Sequence, residues 1–542
     1  MQSPLIQRVA DWLYGLGGWQ EKRTGVVGPD ERLPWGQTTT MGMQHVLAMF
    51  GSTFIAPLIM GFDPNLAIFF SGVGTLIFFA ITAGRVPSYL GSSFAFIAPV
   101  AAVTSGDGTI KDALGGIVAA GIVYALIGFA VQYVGTDWID ALMPPIVTGA
   151  IVALIGLNLA GAAKGMAETN MFLAFITIAA VLGIALYTGG FVGRLPILLG
   201  MVFGYLLSLI LGGTDGGRDI GPFFIQGVDL DGVRDASWLG FPDFIAPSFS
   251  WNAIGLIVPV AVVLVAENTG HIKAVSVMTK SNLMPFLGRG FIGDGVATTV
   301  AGLGGGTGVT TYAENIGVMA VTKVYSTAIF VVAGLTAILL GLSPKFGALI
   351  ASIPPGVLGG VATVLFGLIA VTGFRIWTEN NVDFSNSANL FIVAVTIIVG
   401  TADYTIHLGE FTMGGIALGT FGIIILYQVL GGGSASPVRP ESGGGGRRPA
   451  TTQRQPVRRD PPPPVYDPGI DEDEWEDAPP PARRPYTPSR PQFEGPSRQR
   501  PQPQQPGRGT VPPRPPVRDD RAGRGPLDDL PDVFGGDDRP RR

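Results

Sequence analysis

Two stretches of the 542-residue chain place proton-handling side chains inside segments that otherwise read as membrane: "VVLVAENTGHIKAV", with Glu267 and His271, and "TTYAENIGVMAVTK", with Glu314 beside Asn315. A charge at the centre of a bilayer costs about 2.5–3.5 kcal/mol on insertion scales, so such residues mark a function or a specific structural need. Glu267 and His271 stand four apart, which on a helix puts them on one face where they can hydrogen-bond or exchange a proton. The structural alternative is a polar pair that packs helices. For Glu314 and Asn315 the alternative is a cap on a helix that restarts there, offering free backbone N–H groups and the positive end of its dipole. In the first half the acidic residues fall at segment edges or in loops. There, "SSFAF" (92–96) offers backbone N–H groups beside Phe94 and Phe96, and "MGMQHVLAMFGSTFIAPL" (41–58) adds Gln44 and His45.

Acceptor carboxylates, a histidine, exposed amides and aromatic rings together suit a neutral planar ring carrying both N–H donors and carbonyl acceptors. Nucleobases have that pattern. A metal cluster, a phosphate loop and a nucleophile arrangement are all missing from the sequence, which excludes an enzyme as the leading reading and points to no cofactor. The chain has no cysteine, so disulfides and thiolate sites are excluded too.

The elements that must position these groups are membrane helices. Mean hydropathy is +0.41, only 14% of residues are charged, and apolar runs of spanning length such as "NLAIFFSGVGTLIFFAITA" recur between residues 40 and 431. Residues 1–39 read as a cytoplasmic segment with an interfacial helix. Residues 40–213 and 251–431 read as two sets of about seven segments, separated by an acidic, aromatic outer loop at 214–250. An odd number per set turns the halves over relative to each other, an inverted repeat. The third segment of each half, "PSYLGSSFAFIAPV" and "GLGGGTGVTTYAENIGVMAV", reads as a broken helix, because Gly304–Gly306 make poor helix while Val309, Thr310, Thr311 and Tyr312 favour extended chain. The Lys and Arg bias of short loops puts both termini in the cytoplasm. Residues 432–542, rich in Pro, Arg and Gly with few aliphatic residues, read as a disordered tail. Its "PPPPVYD", "DEDEWED" and "RRPYTPSR" leave room for an unknown cytoplasmic partner.

The motif "ENIGVMAVTK" (314–323) resembles the signature of the nucleobase/ascorbate transporter family, and "QHVLAMFGSTFIAPL", "PSYLGSSFAFIAP" and "ENTGH" resemble the first, third and eighth segments of its bacterial uracil permeases. The likeness spans residues 40–431. It implies an all-α integral membrane protein of about fourteen segments as a 7+7 inverted repeat, split into core and gate domains, with a gate that often forms a homodimer. It implies a multi-pass carrier of the cell membrane that imports uracil with protons by alternating access, and no nucleic-acid partner. Carried over, Glu267 and Glu314 accept the ring N–H groups, and the amides of Phe94 and of Ala313 or Tyr312 meet the carbonyls, with Ser52 beside them. His271 supports Glu267 in a coupled proton site with Glu314, while Asn315, Gly317, Thr322 and Lys323 form the signature and shape specificity.

Three positions depart from the uracil-permease pattern: Ala313 for Gly, Ser52 for Ala, and Asn268 for His. They leave the exact base open, with purine or xanthine as the rival cargo. A membrane sensor working through the tail is the rival of another class.

Overall fold

The computed structural model describes residues 18–431 apart from 107, 191, 215, 409 and 410. The tail expected at 432–542 and its motifs lie outside the described residues, as do residues 1–17 of the N-terminal segment. Residues 18–34 carry no helix. Strands β1 (Gln20–Glu21) and β2 (Glu31–Arg32) pair in parallel, and Val27 bridges to Val324. The first helix therefore begins at Trp35, ahead of the expected boundary at residue 40.

The first half of the chain runs through α1 (Trp35–Met60), α2 (Pro64–Ile81), strand β3 (Leu90–Ser92), α3 (Ile97–Ser105), α4 (Ile110–Val134), α5 (Asp137–Leu142), α6 (Pro145–Asn158), α7 (Ala160–Glu168), α8 (Met171–Tyr187) and α9 (Pro196–Leu207). The expected loop 214–250 holds a hairpin, β4 (Gly217–Ile220) with β5 (Phe223–Gln226), and a short α10 (Asp231–Asp235). Its remainder lies across the helices, with Ser248 N donating to Lys111 O and Gly240 N to Leu342 O. The second half runs through α11 (Trp251–Ile257), α12 (Val260–Thr279), α13 (Leu287–Gly304), β6 (Val309–Thr311), α14 (Ala313–Thr322), α15 (Thr327–Gly341), α16 (Pro344–Ala351), α17 (Pro355–Glu379), α18 (Ser387–Thr401), the hairpin β7 (Ile406–Leu408) and β8 (Phe411–Met413), and α19 (Gly415–Leu426).

Six helical spans among the described residues are long and apolar enough to cross a membrane, or seven if α15 and α16, bent by 82°, count as one. Shorter apolar helices, among them α8, α9, α18 and α19, accompany them. Leu186, Ile210, Leu339 and Phe391 point outward from the packed core. Such apolar surface is a liability in water and the expected exterior in a bilayer.

The helices pack as two layers. In one, α4 lies along α13, α13 on α2, and α2 on α15, with α1, α3, α11 and α12 around them. In the other, α17 packs on α6, α7 and α8, with α9, α18 and α19. Each sequence half therefore contributes its early helices to the first layer and its late helices to the second. The tightest seam, α4 against α13, is built from glycines: a Cβ on Gly128 would sit 2.8 Å from Gly288 O, and one on Gly295 would sit 2.6 Å from Gly121 O. Close backbone approach is what small residues give helix pairs in lipid, where van der Waals contact replaces the hydrophobic drive.

Candidate functional site

The two broken segments meet as an antiparallel pair, with Leu90 opposite Thr311, Gly91 opposite Thr310 and Ser92 opposite Val309. The expected extended stretches are thus present, and each supplies the other's ladder. Ser93 N donates to Gly308 O and Tyr312 N to Tyr89 O, which prolongs the pairing at both ends. A two-stranded ribbon still has two open edges, which a bilayer interior does not tolerate. Here each edge is closed by the helix that precedes its strand. Leu90 N donates to Thr75 Oγ1 of α2 at 3.0 Å, and Val309 N donates to Thr298 Oγ1 of α13 at 3.1 Å, Thr298 in turn donating to Val309 O.

Side chains lock the crossing. Tyr312 OH donates to Ser92 O at 2.8 Å, Ser92 Oγ to Thr53 O at 3.0 Å, and Thr307 Oγ1 to Ser92 Oγ at 2.7 Å. Gly91 leaves the room this needs, since a Cβ there would lie 2.5 Å from the Tyr312 ring.

A half-helix starts just beyond each strand. The first opens with a 3-10 turn over Phe94–Phe96, capped by Ser93 Oγ, which accepts from Ala95 N. The second, α14, has no side-chain cap at Tyr312 and carries Glu314 in its first turn. Two helix N-termini therefore flank the ribbon, and Phe94 N and Ala313 N have no acceptor among the described residues. The amide of Tyr312, the other expected contact, is committed to Tyr89 O, and its buried ring and hydroxyl hold the crossing together. Tyr312 is structural on this geometry, and Ala313, which is exposed, is the free amide.

Glu314 is half-buried, accepts from Ser52 Oγ at 2.5 Å and also accepts from its own backbone N–H. Helix α12 packs on β6, on the 3-10 turn and on α14, and brings the half-buried Glu267 close enough to Glu314 for their charges to interact. Glu267 has no hydrogen-bond partner among the described residues. The expected bond between His271 and Glu267 is not formed: His271 Nδ1 lies 2.8 Å from Thr311 Oγ1 instead. Helical spacing gave the pair a shared face, and the neighbouring strand supplied the nearer partner.

Phe94 is mostly covered, its ring edge-on to Phe366 of α17 at 5.5 Å, a contact between the two layers. Asn315 turns away from the ribbon and donates to His45 Nδ1 and His45 O, each at 3.0 Å, tying α14 to α1. Gly317 lies on the exposed face of α14 with Ala313. Thr322 donates to Val318 O within the helix. Lys323 closes the helix in left-handed backbone at φ 55°, and its carbonyl accepts from Val27 N. The N-terminal segment also reaches the start of α15, where Trp19 Nε1 donates to Thr327 Oγ1 at 2.9 Å.

Three residues outside the expected site set also belong here. Thr311, Asn268 and Asp294 are buried in contact with the site, and Asp294 is fully enclosed in α13. An acid inside "GFIGDGVATTV" met the criterion that singled out Glu267, but the surrounding glycines and threonines lowered the apolar contrast around it.

One consequence concerns Ser52. Ser52→Ala removes a single donor to the Glu314 carboxyl, worth about 1 kcal/mol, so a ligand held by that carboxyl should bind roughly fivefold more weakly in a titration of the purified chain, and Ser52→Thr should recover most of the affinity.

The sequence profile of a permease family matches residues 36–409. RutG of Escherichia coli (strain K12), provisionally named a pyrimidine permease, is 52% identical over 430 residues, covering 77% of this chain and 96% of RutG. The uracil permease of Paenibacillus larvae subsp. larvae is 40% identical over 418 residues (74% of this chain, 96% of that protein), and the uracil permease of Escherichia coli (strain K12) is 37% identical over 432 (77% and 96%). Among solved structures, the transmembrane domain of a cyanobacterium bicarbonate transporter, BicA, is similar with a TM-score of 0.50 at 15% identity, covering 68% of this chain and 95% of that one. The murine anion transporter Slc26a9 in its inward-facing state is similar with a TM-score of 0.56 at 9% identity, covering 79% of this chain and 72% of that one. These two likenesses bear on the fold alone. Matched by the family profile over most of its helices and by relatives along nearly their whole length, the chain belongs to the nucleobase/ascorbate transporter family of permeases.

Proposed function

We propose that the chain imports uracil across the cell membrane together with protons, as a permease and not an enzyme. The observation that carries this is the juxtaposition at the β3–β6 crossing: two carboxyls as acceptors, Glu267 and Glu314, beside two backbone donors, Phe94 N and Ala313 N. A ring with alternating N–H and C=O groups meets both kinds. The names of the similar permeases, uracil and pyrimidine, favour a pyrimidine over a purine.

Uracil is neutral near pH 7, so membrane potential alone does not concentrate it. One charge moved through 100 mV is worth about 2.3 kcal/mol, roughly fiftyfold accumulation. A proton shared among Glu267, Glu314 and His271 supplies that charge, as one coupled unit rather than one assigned residue. The two layers are then the core, which holds the site, and the gate, against which it moves, with Phe94 and Phe366 at their contact. The division of each half between both layers, and the matching closures of Thr75 on β3 and Thr298 on β6, support a 7+7 inverted repeat. Both termini lie in the cytoplasm on this reading, and a homodimer through the gate is expected of the family.

Titrating the purified full chain with a panel of nucleobases tests the assignment. Saturable binding of uracil, unaffected by excess xanthine, is the expected result; binding of xanthine with none of uracil would transfer the cargo to the purine branch and make Ala313 the first residue to revert to glycine. Deleting residues 443–542 separates carrier from sensor: the truncated chain should retain uracil uptake, and its loss would favour the sensor.

A further inference from the structure

A chain of hydrogen bonds runs from His271 into the core. Asn268 is buried one helical turn from His271, and its amide touches four groups. Nδ2 donates to Tyr124 OH at 2.6 Å and to Asp294 Oδ2, while Oδ1 accepts from Thr311 Oγ1 and, at 3.4 Å, from Thr310 Oγ1. Turning the amide over would set its oxygen against the Asp294 carboxyl. Asp294 Oδ1 has no partner among the described residues, so an ionised Asp294 would then lack a donor on either oxygen while fully buried, a position polar groups rarely occupy.

With the amide so placed, the single hydroxyl hydrogen of Thr311 goes to Asn268 Oδ1. Only a lone pair of Thr311 Oγ1 then faces His271 Nδ1, 2.8 Å away, so Nδ1 must carry the hydrogen. A neutral imidazole has one such hydrogen, which leaves Nε2 bare. Nε2 has no partner among the described residues, and His271 is half-buried rather than sealed.

We propose that Asn268 and Asp294 are positioning residues: acting through Thr311, they hold His271 in its Nδ1–H tautomer and present Nε2 to the site as an acceptor for a ring N–H or a proton. Neither touches the cargo. The titratable groups around the chain are Glu267 on the same helix, Glu314 on α14, and Tyr124 on α4. The inference deepens the carrier reading, on which the purpose of His271 rests, but the tautomer itself is measured without transport.

The test is nitrogen NMR of the full chain labelled with 15N-histidine, in nanodiscs at mildly alkaline pH. The sequence has three histidines, and the His271 signals are those lost in His271→Gln. The expected spectrum shows His271 Nδ1 protonated and Nε2 bare, the reverse of the tautomer that free imidazole prefers. Thr311→Val, nearly isosteric and so compatible with folding, should shift the balance toward Nε2–H, and Thr311→Ser should restore it. Asn268→Leu and Asp294→Leu should shift it as Thr311→Val does. A wild-type His271 protonated on Nε2, or a Thr311→Val spectrum identical to wild type, overturns the proposal. The expected spectrum in a protein that carries no nucleobase upholds the tautomer and sinks the carrier reading, so the two failures are distinct.

Discussion

Glu314→Gln is expected to abolish concentrative uracil uptake and to weaken uracil binding roughly thirtyfold to a hundredfold. Two losses combine. A hydrogen bond from a ring N–H to a carboxylate contributes about 1.5–3 kcal/mol, and a glutamine amide turned the wrong way sets a donor against a donor. Glutamine also cannot take up a proton, so whatever binding survives no longer draws on the proton gradient. The geometry makes this replacement specific, because Ser52 Oγ can still donate to the glutamine carbonyl and α14 keeps its first turn. Binding measured by calorimetry and uptake measured in vesicles should therefore fall by different factors. Equal losses would mean that Glu314 only holds the base, and the coupling would rest on Glu267 and His271.

The second large effect is on the fold. Gly295→Leu should leave little folded protein, because even the first added carbon would lie 2.6 Å from Gly121 O and against the Ala125 backbone, and neither can move without parting α4 from α13. Gly295→Ala is the graded version, expected to destabilise by about 1–3 kcal/mol as an overpacked seam. Size-exclusion profile and thermal unfolding in detergent read both. Gly317→Ala is the control for folding, since a Cβ there meets nothing within 4 Å, and a normal unfolding profile is expected of it. The seam matters to the site because α13 carries Asp294 next to Gly295 and Thr298 one turn on, so parted helices would also open the edge of β6.

Much of this arrangement was legible in the sequence. Acids inside apolar runs cost too much to be incidental, which isolated Glu267 and Glu314, and the clash of Gly304–Gly306 with helix and of Val309–Thr311 with anything but strand exposed the broken segment. The rest depended on partners that no local pattern announces. A threonine on a membrane helix normally returns its hydroxyl to its own backbone, so nothing in the sequence marks Thr75 and Thr298 as the residues that close a sheet edge. Spacing placed Glu267 and His271 on one face, yet Thr311, forty positions away, takes the imidazole. The grip of Val27 on the end of α14 and of Trp19 on the start of α15 joins positions about three hundred apart, beyond the reach of any periodicity. Tyr312, grouped with the site for its backbone amide, proved to hold the ribbon together, because strand pairing claims that amide first.

The most direct test is uptake of labelled uracil into proteoliposomes of the full chain, with and without an imposed inward proton gradient, comparing wild type with Glu267→Gln and Glu314→Gln. The account predicts uptake that rises above the external concentration only with the gradient in wild type, and that never does so in either variant. Gradient-driven accumulation that persists undiminished in both variants would contradict it.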